Sequence, residues 1–472
     1  MMEQLYLIPV AKSVQIHDGT VSLREARIIA DDSQLASIIP VFEQELRQLL
    51  GSDPTFQNNT CTMIKLHIDK SLRDEQIQIK IRQEIEVIGG SCFAVSAGTS
   101  MLLQLMSDTG ELPHCTIEDE PDLPYRGLML DVARHWHSPA AIRKVIELCR
   151  FYRLSYLQLH LSDDQSFTFP LKRFPNLAKP GRHYTRAELD ELVEYAQERG
   201  VQLVPEIDLP GHSETLNAAE PDIFTSGAGH AHENAICLGN EAAYEAVEYI
   251  LTELCDVFKY STYIHLGCDE TKHEIFHNCP VCRNRMQQLE GGNAESLLRT
   301  YILFAAETVK RQGRKPIIWE GFSPEPGIPI PQDITIIAWE SYYNPADSLA
   351  EAGYKLINSA WQPLYVTPNA GWPAEHIYSW NVRRWEHWWD QSKAHFEPIQ
   401  LDEQADIIGA QFCSWENEEI NQIELLRHRV PAMVERIWNI EQRMPWTDFS
   451  ARLALLDYRL MNILGDEDKV IE

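Results

Sequence analysis

The chain has 472 residues, of which 44 % are hydrophobic and 24 % charged, a balance that excludes fibrous, collagen-like and disordered classes. Its formal net charge of −29 repels phosphate backbones and anionic lipid, so neither nucleic acid nor a membrane is an expected partner. No apolar run approaches the roughly 18 residues of a membrane span.

Up to about Asp122 the chain alternates short strand patterns with helical ones. Period-two spacing predicts strands over 62–68 and 76–87, the latter running into Gly89-Gly90, and three-to-four spacing predicts helices over 34–50 and 97–106. Residues 1–122 therefore read as a small α+β domain, closed by the acidic run Glu118-Asp119-Glu120-Pro121-Asp122. After it, buried-type strands are expected at 127–132, 156–161, 201–207, 263–267, 316–319, 335–339, 355–358 and 407–412. Helical patterns intervene at 139–152, 186–199, 241–258, 294–311 and 346–352, and a last one covers 418–440. Each parallel return needs a crossover, so this alternation predicts an α/β fold, a (β/α)8 TIM barrel over 123–445. An open doubly wound sheet is the alternative, but no Gly-rich phosphate loop follows the first strand. The link before the eighth strand is long and Trp-rich, and its cluster Trp385-Glu386-His387-Trp388-Trp389 reads as an amphipathic helix, with a place lining the aglycone side as the alternative. Residues 446–472 are expected as a terminal helix packing on the barrel.

In such a barrel the carboxyl ends of the strands form the active face. Those ends here carry Arg134, Asp163, Asp208, His212 and the adjacent pair Asp269-Glu270, while strands five, six and eight end at Trp319, Trp339 and Trp415. Aromatic faces stack on the apolar faces of pyranose rings, and carboxylates with an arginine hydrogen-bond hydroxyls, so carbohydrate chemistry is indicated. A metal hydrolase using Asp208, His212 and Asp269 is the rival; barrel metal sites usually recruit more histidines, and the tryptophans would then have no part.

Four segments are specific. Arg126-Gly127-Leu128-Met129-Leu130-Asp131-Val132-Ala133-Arg134-His135, His160-Leu161-Ser162-Asp163-Asp164-Gln165, Pro205-Glu206-Ile207-Asp208-Leu209-Pro210-Gly211-His212 and His265-Leu266-Gly267-Cys268-Asp269-Glu270 resemble, in order and spacing, the motifs of glycoside hydrolase family 20. The resemblance spans most of 122–440 and implies a retaining exo-β-N-acetylhexosaminidase that acts on terminal β-linked GlcNAc or GalNAc. Ordinary retaining glycosidases need two carboxyls about 5–5.5 Å apart on opposite faces of the sugar, which adjacent residues do not easily supply. The resemblance instead implies that the 2-acetamido carbonyl attacks C1 to give an oxazolinium ion. Glu270 would be the acid and base, and Asp269 would orient the acetamido group. Mutual repulsion of the two acids is expected to keep Glu270 protonated near neutrality.

By the same resemblance Arg134 binds sugar hydroxyls, with an ion pair to a barrel carboxylate as its bland reading. Asp163, Asp208 and His212 support Glu270; Trp319, Trp339 and Trp415 box the acetamido methyl; Tyr365 bonds its oxygen; and Trp380 stacks on the sugar or the aglycone. Acids that the family often places two residues after the tyrosine and after the last tryptophan are replaced here by Thr367 and Asn417, with Glu416 one place earlier as a substitute. No cofactor is expected. A homodimer is compatible with the sequence, and a non-catalytic amino-sugar-binding barrel is the second functional reading.

The ten cysteines show no disulfide rhythm, and Met1-Met2-Glu3-Gln4-Leu5 does not begin a secretory signal, so reduced thiols and a cytoplasmic location are expected. Cys279-Pro280-Val281-Cys282 is expected as a reduced loop pair, with a zinc site drawing on Cys268, His273 and His277 as the alternative.

Overall fold

The structure is a computed structural model that describes residues 5–51, 62–179, 181–226, 234–441 and 444–465. Its first part is a six-stranded sheet in the order β1 (Ser13–Ser22), β6 (Glu111–Asp119), β4 (Ile77–Ile81), β5 (Ile85–Gly89), β3 (Thr62–Ile68) and β2 (Ala26–Ala30). Strand alternation places Ile64, Leu66, Ile77, Ile79, Ile85 and Val87 on one buried face, and the helices Ile38–Leu50 and Cys92–Leu105 pack with this sheet in one core. The single strand expected over 76–87 is an antiparallel hairpin of β4 and β5, because Arg82 to Glu84 turn the chain.

The second part is a closed parallel barrel of β7 (Tyr125–Asp131), β8 (Tyr156–His160), β9 (Gln202–Leu209), β10 (Tyr263–Gly267), β11 (Lys315–Trp319), β12 (Thr335–Ala338), β13 (Leu356–Asn358) and β14 (Ile407–Ser414). Each strand pairs with the next, and β14 closes the ring by pairing with both β13 and β7. The pleat decides what faces inward: Ile317 and Trp319 or Ile337 and Trp339 point into the barrel, while Ile318 or Ile336 and Ala338 pack outward against the helical layer. Tyr125 stacks on Tyr156 at 4.6 Å, and Tyr263 meets both edge-on, so aromatic rings fill the amino-terminal end.

Two expectations change. The helix expected over 418–440 is broken into Gln422–Leu426 and Arg429–Trp438 after a 3-10 turn. The cluster Trp385 to Trp389 is not a helix: Arg384–Trp385 is a short strand pairing with Ile399–Gln400, and the following residues turn toward the barrel mouth. The acidic run 118–122, expected as the boundary, is packed into the joint between the two parts. Asp119 is buried, 3.1 Å from Arg153, and accepts from Trp438 Nε1 at 3.0 Å. The terminal helix Trp446–Leu464 packs on Ile38–Leu50 of the small domain as well as on the barrel helix Pro139–Phe151.

Candidate active site

A cavity with about 590 Å³ of free space opens at the carboxyl end of the barrel. It is lined by Arg134, Asp269, Glu270, Trp319, Trp339, Trp361, Tyr365, Thr367, Trp415 and Glu416. The strand-end residues singled out in the sequence thus meet in one place, with Asp163, Asp208 and His212 buried directly beneath.

The floor is a buried polar chain. Glu206, on the inner face of β9, accepts from Gln158 at 2.8 Å, from His160 Nδ1 at 2.7 Å and from Trp319 Nε1 at 2.7 Å. His265 Nδ1 lies 3.0 Å from the same carboxylate. His160 gives its other ring N–H to Asp163 at 2.8 Å, so its two nitrogens donate to two carboxylates and it is held as an imidazolium, well above the usual histidine range. Asp163 also carries the Arg134 guanidinium at 2.8 Å and faces His212 Nδ1 at 3.3 Å.

His212 is the hub. Its ring lies within 4 Å of four carboxylates: Asp163 and Glu270 at 3.3 Å, Asp208 and Asp269 at 3.9 Å. Those charges raise its proton affinity well above the ordinary value in spite of burial. Asp208, His212 and Asp269 do bring ligand atoms within 4.8 Å of one another, the set on which a metal-hydrolase reading rests. A metal at this set would have to displace the proton that the surrounding carboxylates favour on His212.

The expected protonation of Glu270 is corrected. The His212 ring, its Nε2 3.3 Å away, holds the Glu270 carboxyl below the usual range, and the Glu270 side chain is 45 % exposed, so water also solvates the charge. The raised carboxyls are its neighbours. Burial raises Asp269; burial and then the Asp269 charge lift Asp208 well above the usual range; and burial followed by the Glu270 and Asp269 charges brings Glu340 to about 8. Asp269 Oδ1 and Asp208 Oδ1 are buried and meet no hydrogen-bond partner.

Backbone strain gathers at the same rim. His212 (φ 46°), Cys268 (φ 77°), Glu270 (φ 46°) and Glu416 (φ 59°) occupy the left-handed region, at a typical cost of about 1–3 kcal/mol each. The glycine before Cys268 is needed: a Cβ on Gly267 would lie 1.8 Å from Asp208 Oδ1.

Aromatic rings form the wall. Trp319 lies 6.3 Å from Trp339 and 6.1 Å from Trp415, and Tyr365 stacks on Trp339 at 6.1 Å. Trp415 also stands under the Arg134 guanidinium at 5.0 Å. Arg134 therefore makes the ion pair of its bland reading with Asp163 while it also lines the cavity. Trp380 is a correction. It is buried in the main core with its Nε1 donating to the Arg384 carbonyl at 3.3 Å, away from the lining. Trp361 takes the lining position instead, 5.2 Å from Tyr365 and 5.4 Å from the half-exposed Trp388. It lies three residues beyond β13, so the strand-end rule that selected the other tryptophans would have found it. Two further residues were passed over. Glu340 directly follows Trp339, and Asp131 accepts from the Arg134 and Glu416 backbones at 2.9 and 3.1 Å, fixing both. Asn417 turns away, its amide donating to the Val366 carbonyl at 3.0 Å, while Glu416 and Thr367 line the cavity.

Comparison with known proteins agrees in both sequence and fold. A family model described as "Glycosyl hydrolase family 20, catalytic domain" matches residues 123–441, and one described as "Glycosyl hydrolase family 20, domain 2" matches 4–120. A β-hexosaminidase of Akkermansia muciniphila is 27 % identical over 74 % of this chain and 76 % of its own length. A β-hexosaminidase subunit beta of Entamoeba histolytica is 29 % identical over 78 % of this chain and 69 % of its own. The crystal structure of an exo-β-N-acetylglucosaminidase from Vibrio harveyi in complex with N-acetylglucosamine superposes with a TM-score of 0.82, at 22 % identity, over 98 % of this chain and 78 % of that one. A β-N-acetylhexosaminidase from Bacteroides fragilis gives 0.80 at 22 % identity, covering 95 % and 94 %.

Proposed function

We propose, for a chain that belongs to glycosyl hydrolase family 20 and is a glycoside hydrolase, the activity of a retaining exo-β-N-acetylhexosaminidase working on terminal β-linked GlcNAc or GalNAc. The names of its relatives support the substrate class. One observation carries the mechanism: Asp269 lines an aromatic cavity beside Glu270 and holds a buried oxygen with no partner. An acetamido N–H is a donor of the kind that oxygen lacks, and burial makes the missing bond costly until substrate supplies it.

In this reading the sugar enters with its N-acetyl methyl against Trp319, Trp339 and Trp415. Asp269 accepts the acetamido N–H, which aims the carbonyl oxygen at C1, and Tyr365 donates to that oxygen. The carbonyl oxygen bonds to C1 as the glycosidic bond breaks, and the leaving oxygen takes a proton from Glu270. Water then attacks C1, gives its proton to Glu270 and reopens the ring, with configuration retained. The bound sugar displaces the water that solvates Glu270, which raises its affinity for the proton it must deliver. Arg134 and Glu416 together bind the distal hydroxyls, Glu416 standing in for the acid absent at Asn417.

Glu270→Gln tests this. Turnover of an aryl β-GlcNAc should fall by about 10²–10⁴-fold or more, the usual share of general acid–base catalysis. A thiazoline analogue of the oxazoline should inhibit the wild type tightly. Wild-type turnover in the variant, or indifference to the thiazoline, would end the proposal.

A further inference from the structure

Three buried cysteines meet between the loops that follow β9 and β10. Cys237 Sγ lies 3.7 Å from Cys279 Sγ and 3.6 Å from Cys282 Sγ, and the three sulfurs all fall within 4.8 Å of one another. A disulfide brings sulfurs to about 2.05 Å, far closer than these. Zinc–thiolate bonds of about 2.3 Å at tetrahedral angles set neighbouring sulfurs roughly 3.8 Å apart. The two Cys237 distances fit the second geometry and not the first. Cys279 Sγ also accepts from the Cys282 backbone N–H at 3.3 Å, the bond that a Cys-x-x-Cys loop makes when both sulfurs point to one centre. The Ser226 hydroxyl lies 3.4 Å from Cys279 Sγ, so an oxygen donor is at hand for a fourth position.

This set differs from the one the sequence suggested. Cys268 Sγ turns to the Leu266 carbonyl at 3.5 Å, His273 faces Glu295 at 3.7 Å, and Cys237, 42 residues before Cys279, completes the group. The segments are also packed backbone to backbone. A Cβ on Gly239 would sit 2.5 Å from the Val281 carbonyl carbon and 2.6 Å from the Cys282 nitrogen. Both segments lead to the active site: the Ile236 N–H donates to the Pro210 carbonyl at 3.0 Å, two residues before His212, and Cys279 closes the short helix that follows Glu270.

We propose that Cys237, Cys279 and Cys282 hold one zinc-class divalent cation, which cross-links the loop carrying His212 to the loop carrying Asp269 and Glu270. Its part is structural. All three cysteines are buried away from the sugar cavity, and none lines it. Binding releases the thiol protons as the thiolates form, and its free energy adds to that of folding.

The full chain, purified in reducing buffer and equilibrated with one equivalent of zinc chloride before gel filtration, should retain about one zinc per chain by elemental mass spectrometry. Cobalt(II) in its place should give a thiolate-to-metal charge-transfer band. Cys237→Ser should lose both signals, whereas Cys92→Ser, outside the cluster, should keep them. Denaturation in chelator should expose all ten thiols. Zinc no higher than trace in the reduced wild type, no charge-transfer band with cobalt, or a thiol count two short from a disulfide would each overturn the proposal. The wild-type cobalt spectrum decides the matter even if Cys237→Ser does not fold, and neither readout depends on hydrolase activity.

Discussion

At the amino-terminal end of the barrel, where it meets the small domain, buried charges close on one another. Arg150 pairs with Glu45 at 2.6 Å, Arg153 with Asp119 at 3.1 Å, Arg199 with Glu147 at 2.8 Å and Arg126 with Glu75 at 2.5 Å. At the carboxyl end four carboxylates share one imidazole, and two of their buried oxygens meet nothing. The described non-glycine residues in left-handed backbone divide the same way: His212, Cys268, Glu270, Ser341 and Glu416 lie at the carboxyl end, Arg153 alone at the other. The larger cavity is at the paired end, about 1510 Å³ of free space against about 590 Å³. Volume therefore does not locate the chemistry. An excess of like charge held in strained backbone marks the carboxyl end instead, the setting in which perturbed groups gather at functional sites.

The widest separation between the two ends should come from one substitution in each. Glu270→Gln, which should remove turnover, also removes a charge that His212 favours, and should lower the melting temperature only slightly because that carboxylate is 45 % exposed. Arg153→Met leaves Asp119 buried beside a lost charge and should cost about 3–5 kcal/mol of stability with kcat unchanged. Thermal melts and kinetics on both variants would settle it. An Arg153→Met enzyme that melts normally but turns over slowly would show that the joint serves catalysis.

A smaller effect should appear in the pH profile. His212 holds Glu270 ionised in the free enzyme, whereas the proposed protonation of the leaving oxygen needs Glu270 with its proton. Activity then falls as pH rises through the Glu270 pKa. Removing His212 lets that carboxyl keep its proton to higher pH, so the alkaline limb of kcat/KM should move upward in His212→Gln even as kcat drops. In the wild type the limb of kcat should lie above that of kcat/KM, since bound sugar desolvates Glu270. A limb that stays in place or moves down in the variant would mean that another group sets it.

Much of this was legible in the sequence because it depends on local pattern. Strand periodicity and strand-end chemistry alone place Asp269, Glu270, Trp319, Trp339 and Trp415 on one rim. What stayed hidden depends on long-range packing. Trp380 and Trp361 lie in the same irregular link, and only the path of that link puts one in the core and the other at the mouth. The Glu270 proton was misassigned because adjacency to Asp269 is visible in sequence, whereas the approach of His212 from the neighbouring strand is not. Cys237 was missed for the same reason: its partners follow a different barrel strand.

Glu340 offers the finest test of the contrast, since it feels the carboxyl end's excess charge without lining the cavity. In the fold its pKa is brought to about 8, whereas the unfolded chain releases that proton in the ordinary carboxylate range. Between those values the folded state binds more protons than the unfolded one, so stability falls as pH rises and levels off above about 8. Glutamine has no proton to lose. The melting temperature of Glu340→Gln relative to wild type should therefore climb from about pH 5 to about pH 8 and then hold constant. Parallel melting curves across that range would show that Glu340 is solvated in the fold, and that the crowding of like charge ends at the cavity wall.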